Sequence, residues 1–159
     1  MGMLLDAKKY LESKGISFKV FLHPPVYTVE EAKKYSQDIR GIHSKNLFLK
    51  GKKSKQFYLV IIPADNQANM DKLGAIAGDK LKFANEDDLK ELLGLTSGAV
   101  SPFGLINDKE RKVDLLIDKA LWESDYVSFH PNVNTESLEL KKEDFHKYIK
   151  SIGNKYLII

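Results

Sequence analysis

The stretch Phe57-Tyr58-Leu59-Val60-Ile61-Ile62 constrains this chain more than any other, because it is apolar at every position and closed by Pro63. Side chains of a strand alternate between faces, so such a run needs apolar cover on both sides and belongs in the centre of a sheet. A second run, Asn46 to Lys50, precedes it across Gly51-Lys52-Lys53-Ser54-Lys55, and the two read as a hairpin.

Around this hairpin the pattern is mixed. Leu4, Leu5, Tyr10 and Leu11 share one helical face, which predicts a first helix over Met3 to Lys14 stopped by Gly15. Ile16 to Leu22 reads as a strand ended by His23-Pro24-Pro25, and Thr28-Val29-Glu30-Glu31 is a capping box that opens a short helix. Helices are expected over Met70 to Ala77, over Glu86 to Leu93 between Asn85 and Gly94, and over Lys141 to Ile152. Val113 to Ile117 and Tyr126 to Phe129 read as strands. With no repeat and no linker, 159 residues predict one domain over 1–159, an α/β fold with a curved or barrel-like mixed sheet and helices packed outside.

Composition narrows the chemistry. Cysteine is absent, which excludes disulfides, thiolate nucleophiles and cysteine-based metal sites. His23, His43 and His146 lack metal-ligand spacing, so no metal and no cofactor are expected. No Gly-x-Ser-x-Gly elbow is present. No apolar run approaches the ~20 residues of a membrane span, and the first ten residues lack a signal-peptide core, so a cytoplasmic protein without membrane contact is expected. The net charge of +3 rests on lysine, with Arg40 and Arg111 the exceptions. Lysine suits phosphate attraction better than bidentate base reading, so a nucleic acid partner would be held by its backbone.

Three segments could carry chemistry, each with a plain structural reading beside it. Lys45 opens the strand Asn46-Leu47-Phe48-Leu49 and shares a face with Leu47 and Leu49. It is either a strand-end lysine reaching water or an ammonium at the mouth of an apolar pocket, where it would stabilise a developing negative charge. Gly98-Ala99-Val100-Ser101-Pro102-Phe103-Gly104 is either a connecting turn or a small-residue loop that lets backbone groups approach a ligand. In His130-Pro131-Asn132-Val133-Asn134-Thr135, His130 either orients a water or substrate hydroxyl or caps the strand end, and the polar residues after it can bond local backbone. The lysines Lys50, Lys52, Lys53 and Lys55 are a solvated hairpin tip or a phosphate contact.

Taken in order, His23-Pro24-Pro25-Val26-Tyr27-Thr28, Lys45-Asn46-Leu47-Phe48-Leu49, Gly98-x-x-x-Pro102 followed by Phe103 to Asp108, and His130-Pro131-Asn132 with Asn134-Thr135 resemble the YbaK/ProX family of trans-editing domains. That family is similar to the editing insertion of bacterial prolyl-tRNA synthetase, and the resemblance spans essentially the whole chain. Ser101 to Asp108 and the His-Pro-x-x-Asn-Thr segment look like the branch called PrdX or ProXp-ala. Glu136-Ser137-Leu138 stands where relatives often carry small residues and threonines, a departure at the pocket edge that bears on amino-acid preference.

The resemblance implies a barrel-like, mostly antiparallel sheet surrounded by helices, and hydrolysis of mischarged alanyl-tRNA(Pro) without a metal or covalent intermediate. It implies catalytic positions at Lys45, Gly98, Pro102 and His130, with substrate contacts at Thr28, Asn46, Ala99, Val100, Ser101, Phe103, Asn132 and Asn134. The partner it implies is the acceptor end of tRNA(Pro) carrying a non-cognate amino acid, with prolyl-tRNA synthetase a candidate protein partner. Two alternatives stand beside it: a cysteinyl-tRNA(Pro) deacylase on the same fold, and a non-catalytic module that binds the acceptor end or a synthetase.

Overall fold

A computed structural model describes residues 7–22, 42–96, 100–129 and 136–159. In chain order these form α1 (Ala7–Ser13), β1 (Lys19–Leu22), β2 (Ile42–Gly51), β3 (Phe57–Pro63), α2 (Met70–Ala77), β4 (Leu81–Phe83) and α3 (Glu86–Leu93). There follow a 3-10 helix (Pro102–Asn107), β5 (Val113–Ile117), α4 (Lys119–Glu123), β6 (Tyr126–Phe129), β7 (Glu136–Lys141), α5 (Lys142–Ile152) and β8 (Tyr156–Ile158).

The described strands form one mixed sheet in the order β1-β7-β6-β2-β3-β5-β8, with β4 added to the end of β2. The pairs β1–β7, β2–β3, β2–β4 and β6–β7 are antiparallel, and β2–β6, β3–β5 and β5–β8 are parallel. The apolar run of β3 lies between β2 and β5, as its two-faced pattern requires. Leu59 and Ile61 enter the larger core, together with Phe48, Leu115 and Ile117 from the sheet and Leu93, Phe145 and Ile149 from the helices. Tyr58, Val60 and Ile62 turn the other way, against Leu49, Leu116 and Leu73 of α2. Leu59, Val60 and Ile61 are completely buried. Each such side chain contributes about 1.5–3 kcal/mol, so this strand anchors both layers.

Helix ends follow their local signals. The Asn85 side chain accepts from Asp88 N–H at 2.8 Å to open α3, and Gly94 closes it at φ 69°, a conformation glycine adopts without steric cost. The final helix buries Phe145, Tyr148, Ile149 and Ile152, the expected face.

Some elements depart from the sequence reading. The first strand begins at Lys19 rather than Ile16, because Ile16 turns into the core as its N–H closes onto Leu11 C=O at 2.9 Å. The segment after Val100, which reads as a connecting turn or small-residue loop, winds into the 3-10 helix from Pro102, a residue preset for a helix's first turn. Strand β7 is an addition to the expected elements: Ser137-Leu138-Glu139-Leu140-Lys141 alternates, with Leu138 and Leu140 in the larger core and Glu139, 4% exposed, on the opposite face. The short helix expected after Thr28 lies outside the described residues, as does the start of the first helix.

Candidate functional site

Strand β2 is ten residues long and has different neighbours at its two ends. One edge pairs continuously with β3 from Ser44 to Lys50. On the opposite edge, β6 runs beside Ile42 and His43, and β4 beside Leu49 to Gly51. Between them, from Ser44 to Phe48, no strand among the described residues covers that edge, although Ala84 N–H reaches Phe48 C=O at 2.9 Å. The sheet splits where β6 and β4 diverge, and Lys45 and Asn46 stand in the split.

The side chains there are tied to β6. The Ser44 hydroxyl donates to Ser128 C=O at 3.2 Å, so its oxygen accepts from Asn46 Nδ2 at 3.5 Å. Ser128 Oγ in turn meets His43 Nδ1 at 3.0 Å. Asn46 Oδ1 is buried, and nothing among the described residues donates to it. A buried carbonyl oxygen without a donor costs free energy, so this one calls for an N–H or O–H from beyond the described residues. Lys45 is half-buried, on the face of Leu47 and Leu49, with Ile62 opposite. An ammonium partly shielded from water acts on nearby charge more strongly than one on open surface.

The second segment singled out in the sequence enters the 3-10 helix. Ser101 is fully buried, and its Oγ accepts from Phe103 N–H at 3.1 Å to cap that helix. Val100 packs partly buried against the larger core. Phe103, expected among the substrate contacts, is 1% exposed and meets Phe129 and Tyr148 edge-on at 6.0 and 5.1 Å. Its ring belongs to the core, which leaves its backbone as the part that could approach a ligand. Because Phe129 is on β6, this contact ties the 3-10 helix to the strand that pairs with β2 at Ile42 and His43.

The hairpin lysines separate into two kinds. Lys50 pairs with Asp88 at 3.6 Å and lies over the Phe57 ring at 5.0 Å. Lys55 adopts φ 62° and closes the turn by donating from Nζ to Lys52 C=O at 2.9 Å. Lys52 and Lys53 are exposed. Below them the Asp79 carboxylate accepts from Ser54 N–H at 2.8 Å and Lys53 N–H at 3.1 Å. The bond from Ser54, ahead of that from Lys53, holds its pKa below the usual carboxylate value.

Thr28, Gly98, Ala99, His130, Asn132 and Asn134 lie outside the described residues. His43 has no metal-ligand spacing in the sequence, and nothing local there signals its contact with Ser128. Alternation does put His43 on the face of Lys45, two positions away.

Known proteins resemble this chain along most of its length. The aminoacyl-tRNA editing domain family matches residues 23–148. The prolyl-tRNA editing protein ProX of Acetoanaerobium sticklandii is 39% identical over 162 aligned residues, covering 99% of each chain. The mouse (Mus musculus) prolyl-tRNA synthetase associated domain-containing protein 1 is 35% identical, over 97% of this chain and 94% of its own. The multifunctional Ser/Thr-tRNA deacylase ProXp-y of Escherichia coli K12 is 30% identical, over 85% of this chain and 81% of its own. A crystal structure of a candidate trans-editing enzyme for prolyl tRNA synthetase superposes with a TM-score of 0.73 at 20% identity, over 99% of this chain and 98% of that one, and shows the same fold.

Proposed function

The chain belongs to the aminoacyl-tRNA editing domain family, and from that membership we propose that it hydrolyses mischarged alanyl-tRNA(Pro) in trans. The observation that carries this reading is the split in the sheet, where Lys45 and Asn46 leave β2 on opposite faces and nothing among the described residues donates to the buried Asn46 Oδ1. In the proposed reaction, water attacks the ester carbonyl carbon and the bond to the ribose oxygen breaks. The amino acid leaves as its carboxylate, and the ribose oxygen regains a proton. The Lys45 ammonium stabilises the carbonyl oxygen as it becomes negative, and Asn46 Oδ1 accepts from the substrate's ammonium or ribose hydroxyl. As the resemblance implies, the backbone of the Gly98 to Pro102 segment holds the terminal ribose and His130 is a catalytic residue. An aminoacyl ester is reactive enough that orientation and charge stabilisation suffice without a covalent intermediate.

The relationship to ProX supports tRNA(Pro) as the substrate class, whereas that to ProXp-y favours a second reading in which seryl or threonyl esters are removed. Release of free amino acid from separately prepared alanyl-, cysteinyl-, seryl-, threonyl- and prolyl-tRNA distinguishes them. Fastest release of alanine from tRNA(Pro) is expected. Faster release of serine or threonine supports the second reading, and no release from any of them leaves only a binding module.

A further inference from the structure

We propose that Tyr148 is a positioning residue for the deacylation, acting through the carbonyl of Pro102; this rests on the deacylase reading above. Tyr148 lies in α5, near the C-terminal end of the chain, and its hydroxyl donates to Pro102 C=O at 2.6 Å. Its side chain is completely buried, and burial pushes its phenol well above the usual tyrosine value, so the hydroxyl stays a donor throughout the working pH range. The ring is held on two sides, by Phe103 at 5.1 Å and by Tyr10 at 6.0 Å, both edge-on. The oxygen therefore has a fixed position, and it fixes Pro102 C=O in turn.

Core packing alone does not require this contact. A phenylalanine would fill the same space beside Phe103 and Tyr10, and the hydroxyl adds one directed bond to the backbone at Pro102. Through Phe103 and Phe129 the same cluster reaches β6, which pairs with β2 at His43. Tyr148 thus ties the backbone at Ser101 and Pro102 to the frame that holds Lys45. Displacements of about 1 Å in a positioning group can cost on the order of a hundredfold in rate, so a single bond at this place has leverage.

The test measures kcat and KM for alanyl-tRNA(Pro) deacylation, with thermal unfolding, for the parent, Tyr148→Phe, Tyr10→Phe and Lys45→Ala. Tyr10→Phe is the control, since it removes a hydroxyl from the same aromatic cluster whose partner is Ser151 Oγ at 2.9 Å rather than the loop. Tyr148→Phe should lower kcat about tenfold with KM little changed, and Tyr10→Phe should leave kcat at the parent value. Combining Tyr148→Phe with Lys45→Ala should cost less than the product of the single effects, because both act on the geometry of one ester. Parental kcat in Tyr148→Phe, a defect confined to KM, an equal defect in Tyr10→Phe, or multiplicative losses would each overturn the inference. So would a Tyr148→Phe chain that fails to fold, which would make the hydroxyl a folding determinant. A parent protein that hydrolyses no aminoacyl-tRNA refutes the deacylase reading. An active parent with a slow Lys45→Ala and an unimpaired Tyr148→Phe refutes only the role of Tyr148.

Discussion

Lys45 stands directly opposite Ile62 in the β2–β3 register, next to the position where Ser44 meets Pro63 at the end of β3. Ile62 is 6% exposed and belongs to the smaller core, so the stem of Lys45 leaves from an apolar wall. A lysine seated this way lays its carbon chain on apolar surface and carries its ammonium toward water.

Replacing that ammonium tests its part in the reaction. Lys45→Ala should retain the fold and lose about a hundredfold or more in deacylation rate, the usual loss when an oxyanion-stabilising group is removed. Single-turnover assays beside circular dichroism check this. A folded variant with near-normal turnover would return Lys45 to a strand-end lysine reaching solvent.

The amino-acid preference is a separate expectation. Alanyl-tRNA(Pro) should be cleared faster than prolyl- or cysteinyl-tRNA(Pro) in side-by-side time courses. Preference for the cysteinyl ester would reverse the branch to which Ser101 to Asp108 points.

Among the hairpin lysines, the exposed Lys52 and Lys53 are the ones placed to attract RNA phosphates. Replacing both with Gln should raise KM and flatten its salt dependence while kcat holds. Lys50→Gln should leave the salt slope alone and cost at most about 1 kcal/mol of stability through its pair with Asp88. An unchanged KM and salt slope in the Lys52/Lys53 variant would place the RNA elsewhere.

Acid should weaken the hairpin turn through Asp79. Its folded pKa is depressed, chiefly by the N–H of Ser54, so its stabilising contribution is present above the ordinary carboxylate value and is lost as pH falls through the folded pKa. The difference in melting temperature between the parent and Asp79→Asn should be constant from about pH 5 to about pH 8 and shrink below about pH 4. A difference that grew toward acid would contradict this sign.

Gly104 is a packing position. A Cβ there would come within 2.6 Å of Leu95 Cδ1 and 3.2 Å of Leu93 C=O, and the backbone at Leu93 has little room to retreat. Gly104→Ala should therefore cost about 1–3 kcal/mol in denaturant unfolding. A melt unchanged from the parent would show that Leu95 yields without penalty.

What the sequence determined by itself is whatever depends on residues close together along the chain. The two-faced run of β3 demanded a central strand, Asn85 and Gly94 marked the ends of α3, and the spacing of Phe145, Tyr148, Ile149 and Ile152 set the buried face of α5. Each of these signals repeats within a turn or a strand, so periodicity and capping chemistry suffice to read it. The motifs around Lys45, Pro102 and His130 likewise carried the family, because each is contiguous.

Only the tertiary structure decided which of those pieces meet. Nothing local says that β2 changes neighbours between His43 and Leu49, or that Asn46 ends with a buried oxygen to which nothing among the described residues donates. The same holds for Lys50, drawn onto Asp88, for Phe103, folded into the core, and for the Tyr148 hydroxyl on the carbonyl of Pro102. These contacts join residues tens of positions apart. Their energy comes from burial and hydrogen bonding after the sheet has closed on its helices, which no periodicity along the chain records.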